Sequence, residues 1–426
     1  MSVRQRLLHY LRTRLGDEAP ALRLVFWDGD RFDFAQAPRV TITLHSPAPV
    51  KSLLRGNFAR LGDAYVAGDL TVDGAIEDVL RVGVTLAERL GRSSAARYLG
   101  RGARLVSRRH SRQKDAADVG YHYDVSNDFY RLWLDENMVY SCAYFRDGAE
   151  DIHAAQRQKL DHICRKLLLK PGERLLDIGC GWGGLLIWAV QHYGVSGVGI
   201  TLSRRQYDYA RDRVAASGLS EKIEIRLQDY RELAGEESAF DKVASVGMYE
   251  HVGAANYPIY FNIIAALLRP GGALLNHGIV ATDPRGRAQG PPGGEFIDRY
   301  VFPGGSVPHL SRVVFEVAKA GLELADIEDL RPHYARTLLH WVRRLEAHRD
   351  EAMRTAGAER YRIWRVYLAG MAYAFDRGWL SIAQTLAFKR GAGGALARPW
   401  TRDYQYVADA QPVLAGALDW NARHTT

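Results

Sequence analysis

The first 90 residues alternate short apolar runs with turn-forming residues. Three of these runs have the length and composition of strands, and they cover residues 22–27, 32–34 and 40–44. Asp28-Gly29-Asp30, between the first two runs, has the composition of a hairpin turn. Apolar residues at helical spacing follow in segments 50–61 and 76–90. Residues 1–90 are therefore predicted to form a small α+β domain.

A regular alternation of helical and strand-like segments begins near residue 156. The predicted helices cover residues 156–168, 185–192, 204–217 and 257–268, and the predicted strands cover residues 174–178, 195–200, 223–227, 242–246 and 273–279. This order is what a doubly wound parallel sheet requires, and such sheets bind ligands beyond the carboxyl ends of their strands. Those ends carry residues 179–183, 201–203, 228–230 and 247–250, and His277.

The segments around this alternation set the remaining predicted boundaries. Residues 281–375 are too long for one connection, so they are predicted to form an insertion or lid. The α/β domain that contains this insertion is expected to cover residues 119–395. A linker at residues 91–118 precedes it, and a C-terminal tail at residues 396–426 follows it.

Composition narrows the class of protein. The chain has 426 residues, of which 47% are hydrophobic and 25% charged, as in a folded protein with more than one core. The three cysteines have no spacing typical of a disulfide framework or a zinc site, so we expect reduced thiols and no metal. Since no apolar stretch of about 18 residues and no signal peptide pattern occurs, the protein is expected to be cytoplasmic and not to span a membrane.

Positive charge is concentrated between the two predicted domains. Residues 92–114 contain eight arginines and lysines and no acidic residue, within a chain of net charge +8. Such a segment can be a solvated linker, a nucleic-acid patch or a patch for anionic lipids. No nucleic-acid-binding module accompanies it, so no nucleic-acid partner is expected. Attraction of about 1 kcal/mol per basic residue would hold the protein reversibly at an anionic membrane.

A closely spaced glycine turn follows the first strand of the α/β domain. Gly179, Gly181 and Gly183 would let the backbone approach a ligand, and Asp177 lies at the strand end. A dinucleotide site would place an acidic residue about 20 residues later, but the next strand ends in Thr201-Leu202-Ser203. This difference argues against NAD. The turn alone could also be a plain connection between a strand and a helix.

Four longer motifs surround the same predicted strand ends, and they occupy residues 140–145, 176–184, 228–231 and 245–253. With the N-terminal segment 62–69, they resemble the cyclopropane-fatty-acyl-phospholipid synthases, which are S-adenosylmethionine-dependent methyltransferases. The resemblance implies a Rossmann-like class I methyltransferase domain with a lid. It also implies that S-adenosylmethionine is bound by Tyr140, Ser141, Asp177, Gly179, Gly181, Gly183, Thr201, Leu202, Gln206, Asp229 and Tyr230.

The resemblance further implies methylene transfer to the double bond of an unsaturated phospholipid acyl chain, at the inner face of the membrane. Bicarbonate would act as the base, held by Glu250, His277, Tyr334 and the backbone near Cys142 and Ile279. Cys142 is expected to line the site rather than to act as a nucleophile, because methyl transfer needs no covalent enzyme intermediate.

Each of these assignments has a plainer alternative. Gln206 could be an exposed residue in the first turn of its helix, and Glu250 could cap the helix near Tyr257. His277 could be a buried histidine with satisfied hydrogen bonds, and Tyr334 could serve only for packing.

One residue departs from the family pattern, and it affects the expected product. Many members carry a cysteine where this chain has Met371, and methionine cannot act as an acid or a thiolate. A cyclopropane, a methyl-branched and a methylene-branched product therefore all stay open, as does N-methylation of a small amine. A lipid-binding protein with a degenerate methyltransferase domain is the alternative from another class. Homodimer formation, the position modified on the acyl chain and the head-group preference also stay open.

Overall fold

The structure is a computed structural model. It describes residues 1–16, 20–54, 59–90, 126–285, 294–302, 305, 307–391 and 398–407. The predicted linker 91–118 with its basic segment 92–114 and most of the predicted tail therefore lie outside the described residues.

The N-terminal part combines four helices with a small sheet in its described residues. Its elements are α1 (Val3–Leu15), β1 (Leu22–Val25), β2 (Arg31–Asp33), β3 (Val40–Leu44), α2 (Ala48–Leu54), α3 (Ala59–Ala67), β4 (Leu70–Asp73) and α4 (Ile76–Leu90). The strand order is β2-β1-β3-β4, with β1 and β2 antiparallel across the predicted hairpin turn. The four-residue spacing of Leu7, Leu11 and Leu15 turns one face of α1 into the core of this part.

The rest of the described chain carries most of the helices and the larger sheet. Its first elements are α5 (Asn127–Arg131), α6 (Ile152–Lys166), β5 (Arg174–Ile178), α7 (Gly184–Tyr193), β6 (Ser196–Thr201), α8 (Arg204–Ala216), β7 (Ile223–Leu227) and β8 (Phe240–Val246). They are followed by α9 (Tyr257–Leu267), β9 (Leu268–Ala281), α10 (Gly294–Tyr300), α11 (Leu310–Lys319), β10 (Leu322–Asp329), α12 (Arg331–Ala347), α13 (Arg349–Ala356), α14 (Ala358–Asp376), β11 (Leu380–Lys389) and α15 (Asp403–Tyr406). Short 3-10 turns lie at Tyr230–Leu233, Tyr249–His251 and Ala254–Asn256.

The larger sheet has the strand order β10-β11-β9-β8-β5-β6-β7. The strands from β9 to β7 are parallel, whereas β11 runs antiparallel to both β9 and β10. Two large hydrophobic clusters include residues of these strands and of the helices between them. The predicted α/β class with a doubly wound, Rossmann-like sheet is confirmed, and the antiparallel β11 makes the sheet mixed.

The described residues divide into two compact units. One contains the described residues within Met1–Arg109, Gln289–Gly304 and Leu338–Arg377, and the other contains those within His110–Ala288, Gly305–Thr337 and Gly378–Thr426. The predicted insertion at 281–375 is therefore not one addition. Its middle contributes β10 to the larger sheet, while α10, α13 and α14 belong to the unit with the N-terminal elements.

None of the helices in the described ranges is both long enough and apolar enough to cross a bilayer.

Candidate functional site

The glycine turn after β5 adopts a backbone that side chains disfavour. Gly179, Gly181 and Gly183 have φ values of 81°, 54° and 81°. A Cβ atom at Gly179 would also lie 3.1 Å from Cγ of Met248. Gly183 is the N-cap of α7, so the turn ends where the helix begins. These glycines let the chain fold back tightly at the carboxyl end of β5.

A cavity of about 140 Å³ lies at this end of the sheet. It is lined by ten of the eleven predicted cofactor residues, namely Tyr140, Ser141, Asp177, Gly179, Gly181, Thr201, Leu202, Gln206, Asp229 and Tyr230. Gly183 is not among the lining residues; its role is in the turn. The predicted catalytic residues Cys142, Glu250, His277 and Tyr334 do not line this cavity either.

The start of α8 builds one wall of the cavity. Ser203 caps the helix by accepting a hydrogen bond from the Gln206 backbone at 3.2 Å. Gln206 is 5% exposed, and its Oε1 accepts a hydrogen bond of 2.9 Å from the Thr201 hydroxyl. The alternative that Gln206 is an exposed first-turn residue is therefore wrong. Both side chains offer polar atoms of the kind that bind sugar hydroxyls.

Asp229 and Tyr230 already have protein contacts. The Asp229 carboxylate accepts hydrogen bonds from the Arg231 side chain at 2.7 and 2.8 Å. The Tyr230 ring meets Tyr260 edge-on at 5.0 Å, and the Arg231 guanidinium lies 5.2 Å from its centroid. Arg231 thus fixes both predicted residues at the edge of the cavity.

Two buried ionisable side chains, Asp177 and Lys159, also line the cavity. Burial raises the pKa of Asp177 to about 7, although nearby Lys159 opposes that rise. Burial lowers the pKa of Lys159 to about 8. Its Nζ donates a hydrogen bond of 2.8 Å to Ser141 Oγ. This end of the cavity is therefore suited to a ligand that carries both a carboxylate and an ammonium group.

Two of the predicted base residues, Glu250 and His277, lie near the carboxyl ends of β8 and β9. Glu250 Oε1 accepts a hydrogen bond of 2.7 Å from the Ile279 backbone, and the Tyr249 hydroxyl donates to the Ile279 carbonyl at 2.6 Å. Glu250 therefore binds the end of β9 rather than capping α9. Its Oε2 is buried without a hydrogen-bond partner, and burial raises the pKa of Glu250 to about 7.

His277 is fully buried in β9, paired with Val246 of the neighbouring strand. Burial holds its pKa well below the ordinary value, so the ring is neutral. Gln384 Nε2 lies 3.2 Å from Nδ1 and can only donate, which assigns the ring hydrogen to Nε2. This Nε2 is buried without a partner. His277 therefore does not have the satisfied hydrogen bonds of an ordinary core histidine.

The Cys142 thiol and the Tyr334 backbone contact the same carbonyl, that of Leu330. Cys142 Sγ lies 3.8 Å from the Leu330 oxygen, which also accepts a hydrogen bond of 3.0 Å from the Tyr334 backbone. Burial raises the pKa of the Cys142 thiol, so it stays protonated. This agrees with the expectation that Cys142 is not a nucleophile. Two side chains of α12 hold the same loop: Thr337 binds the Ala143 backbone and His333 that of Phe145.

The residues that line the cavity and the predicted base residues lie on the same loops. Tyr140 and Ser141 line the cavity directly before Cys142 in the chain, and Gly247 and Met248 line it just before Glu250. A base held by Glu250 and His277 would therefore be next to a ligand in the cavity.

Sequence reasoning missed Lys159, Gln384 and the pair formed by Gly278 and Tyr249. Lys159 lies with Gln156 on the buried face of α6, and polar residues at helical spacing among apolar ones were an available signal. Gln384 lies in β11, which was not predicted as a strand. A Cβ atom at Gly278 would lie 2.0 Å from the Tyr249 ring, a close approach that no local pattern indicates.

The N-terminal motif and Met371 lie in the other unit. Asp63 accepts hydrogen bonds from Arg299 at 2.9 Å and from the Tyr300 hydroxyl at 2.8 Å. Met371 is buried within α14.

Comparison with known proteins agrees with this geometry. The family model described as mycolic acid cyclopropane synthetase matches residues 110–385, and a model described as a domain of unknown function (DUF7884) matches residues 17–94. A probable fatty acid methyltransferase of Pseudomonas putida is 46% identical over 90% of this chain and 96% of its own length. The cyclopropane-fatty-acyl-phospholipid synthase of Escherichia coli K12 is 35% identical over 83% of this chain and 89% of its own.

A solved structure of a cyclopropane synthase is also similar to this chain. The mycolic acid cyclopropane synthase CmaA1, complexed with SAH and CTAB, matches with a TM-score of 0.61 and 34% identity over 64% of this chain and 98% of that chain. The mixed sheet and the cavity at its strand ends define a class I S-adenosylmethionine-dependent methyltransferase. Within this class, the chain belongs to the mycolic acid cyclopropane synthetase family. The resemblance stated from the sequence motifs is confirmed.

Asp177→Asn should weaken binding of S-adenosylhomocysteine about 10-fold or more, because it removes the negative charge at the cavity without changing side-chain size. Calorimetry measures the affinity directly. Asp208→Asn, an exposed position on α8, is the matched control and should bind like the wild type. Equal affinity of Asp177→Asn and wild type would show that Asp177 serves only the turn.

Proposed function

We propose that the protein transfers a methylene group from S-adenosylmethionine to the double bond of an unsaturated phospholipid acyl chain, giving a cyclopropane, with bicarbonate as the base. The observation that carries this proposal is the pair of buried, unpartnered atoms Glu250 Oε2 and His277 Nε2. Val246, which pairs with His277, lines the cofactor cavity itself. The names of the relatives, which refer to fatty acids and phospholipids, support an acyl substrate.

The cavity residues would divide the cofactor between them. Thr201 and Gln206 would bind ribose hydroxyls, Asp177 and Ser141 the amino-acid part, and Tyr230 with Asp229 the region of the adenine. The open backbone at Gly179 and Gly181 lets the ligand lie against the turn. When bound, the cofactor supplies an electrophilic methyl group on a positively charged sulfur.

The predicted base residues would support removal of a proton from the cationic intermediate, which gives the product. The π electrons of the alkene form the bond to the methyl carbon, and the carbon–sulfur electrons leave with the sulfur. Ring closure then needs one C–H electron pair of the new methyl group, so one proton must pass to a base. His277 would hold an oxyanion through its Nε2 hydrogen, and Tyr334 and the loop at Cys142 would complete the site. Bicarbonate supplies the oxygen that accepts the proton.

The electrostatics of Glu250 fit a group that faces an anion. Because burial raises its pKa to about 7, Glu250 is partly protonated near neutral pH. In the neutral form its Oε2 hydrogen can donate to an oxyanion, and in the charged form Oε2 can accept the hydroxyl hydrogen of bicarbonate. Either arrangement avoids placing two bare anions together.

Burial of Glu250 and His277 would also protect the cationic intermediate that forms on the substrate. His277 is 0% and Glu250 9% exposed, so water has little access to the carbon that carries the charge. A site of this kind favours loss of a proton over capture by water.

Two other outcomes of the same methyl transfer compete with this proposal. Loss of a proton from a carbon of the acyl chain would give a methyl-branched alkene. A hydride shift followed by loss of a proton from the added carbon would give a methylene branch, and Met371 does not decide between these products. N-methylation of an amine would also need a proton acceptor, because an ammonium group must lose a proton before its nitrogen can attack the methyl group. The acyl substrate is therefore favoured by the names of the relatives rather than by Glu250 and His277.

Purified protein should incorporate label from methyl-labelled S-adenosylmethionine into vesicles of an unsaturated phospholipid but not of its saturated counterpart. Separation of acyl chains from head groups by methanolysis locates the label. Label in the head group would support the amine alternative instead. No label in either would contradict the acyl-chain proposal, and absence of S-adenosylhomocysteine binding as well would support a lipid-binding protein with a degenerate methyltransferase domain.

We also propose that the basic segment binds the inner face of the membrane. Replacing Arg101, Arg104, Arg108 and Arg109 by Gln should weaken binding to anionic vesicles roughly 10²- to 10³-fold at low salt, at about 1 kcal/mol per charge. Turnover on vesicles should fall, and affinity for S-adenosylhomocysteine should not change. Co-sedimentation at low and high salt measures the binding, because salt screens such attraction.

A second variant controls for net charge in this experiment. Replacing the exposed Arg349, Arg354, Arg377 and Arg390 by Gln makes the same change of charge outside the segment. It should bind vesicles nearly as well as the wild type. An equal loss of vesicle binding in both variants would show that only the net charge of the protein matters, and not the position of the basic segment.

A further inference from the structure

Lys159 is a buried ammonium group that the roles assigned so far do not use. It lies in α6, is 2% exposed and lines the cofactor cavity. The hydrogen bond that the structure gives its Nζ is to the neutral hydroxyl of Ser141. An ammonium has three donors, and a buried lysine normally faces a carboxylate.

Lys166, one heptad later on the same helix, shows the ordinary arrangement. It is 0% exposed, and its Nζ lies 2.5 Å from Glu328 and 3.3 Å from Asp326. It does not line the cavity. Asp135 and Asp177 attract Lys159 from nearby, but among the described residues no carboxylate lies within ion-pair distance of its Nζ, which can therefore still donate to a ligand.

The surroundings of Lys159 hold it in place. Gln156, one turn earlier on α6, donates a hydrogen bond of 2.9 Å to the Ser141 carbonyl. Because Ser141 Oγ accepts a hydrogen from Lys159, its own hydroxyl hydrogen is left to donate into the cavity. Lys159 and Ser141 therefore present two donors side by side, which is the arrangement that a carboxylate requires.

We infer that Lys159, together with Ser141, binds the carboxylate of the cofactor's amino-acid part, opposite the ammonium group that Asp177 binds. The inference rests on the proposed cofactor role of the cavity and assigns a further binding residue within it. Both charges of the amino acid then have a partner of opposite sign. Burial lowers the pKa of Lys159, and attraction by Asp135 and Asp177 only partly opposes that shift, so a ligand carboxylate would further stabilise its charged form.

The test compares two ligands that differ only in the carboxylate. These are S-adenosylhomocysteine and its decarboxylated analogue, with affinities measured by calorimetry on the full chain. Lys159→Met should lose about 10- to 100-fold in affinity for S-adenosylhomocysteine and should bind the decarboxylated analogue as well as the wild type does. Equal losses for both ligands, or no loss for either, would overturn the inference.

Two further measurements keep the test independent of folding. Lys166→Met removes an equally buried lysine of α6, and it should lower the unfolding temperature while leaving both affinities unchanged. A loss of affinity there would overturn a specific role for Lys159. In the wild type, removal of the ligand's carboxylate should cost the same 10- to 100-fold, and equal affinity for both ligands would overturn the inference without any variant. Neither measurement depends on the acyl substrate.

Discussion

Glu250→Gln should lower turnover about 10²- to 10⁴-fold, the range expected when a group that supports proton removal is lost. Gln keeps the size of the side chain and an oxygen that can accept the hydrogen bond from Ile279. It cannot alternate between donor and acceptor at Oε2. Since Glu250 does not line the cofactor cavity, affinity for S-adenosylhomocysteine should stay at the wild-type value.

The control for this variant is Glu221→Gln, an exposed position that should keep full turnover. If Glu250→Gln kept the wild-type turnover, Glu250 would serve only to bind the Ile279 backbone.

The same substitution should stabilise the protein at alkaline pH. Burial raises the folded-state pKa of Glu250 from 4.5 to about 7. The contribution of its protonated form to the free energy of unfolding is therefore fully present below pH 4.5 and is lost as the pH rises through about 7. At about pH 8 the buried carboxylate costs up to about 3 kcal/mol, which Gln avoids. Thermal unfolding should show the advantage of the variant at about pH 8 and little difference near pH 5.

His277→Ala should lower turnover about 10²-fold, the loss typical of removing one donor to an anion in a buried site. Depletion of bicarbonate should also lower wild-type turnover, and added bicarbonate should restore it. The variant should need a higher bicarbonate concentration for half-maximal rate. Steady-state rates in carbonate-free buffer, with bicarbonate added back, measure both effects.

Gln384→Leu gives a graded control, because it frees the His277 ring to place its hydrogen on either nitrogen without deleting the ring. It should lie between wild type and His277→Ala. Rates that do not depend on bicarbonate in any of these proteins would exclude bicarbonate as the base.

The sequence predicted the elements whose pattern is local. The strands β5 to β8 follow apolar runs, and the turn at Gly179 follows from glycine spacing. Since parallel strands end at one edge of the sheet, the polar residues after each strand were expected to meet there. Ten of the eleven predicted cofactor residues do line one cavity.

The missed features depend on distant contacts. β10 and β11 lie next to each other in the sheet but are separated in the chain by three helices. The helical patterns between them hid this pairing: β10 fell within the predicted insertion at 281–375, and β11, which follows that segment, was not predicted as a strand. Gln384 and the tautomer of His277 could be found only once β11 had been placed beside β9. Lys159 looks like an ordinary polar residue of α6 until the cavity is seen.

The most direct test of the proposed reaction uses cofactor whose methyl group carries three deuterium atoms, with purified protein and unsaturated phospholipid vesicles. A cyclopropane product retains two of the three deuterium atoms, because ring closure removes one from the added carbon. Its mass spectrum should also be unchanged by catalytic hydrogenation under conditions that reduce only double bonds. Retention of all three deuterium atoms, or a product that takes up hydrogen, would show a methyl- or methylene-branched chain and contradict the cyclopropane assignment.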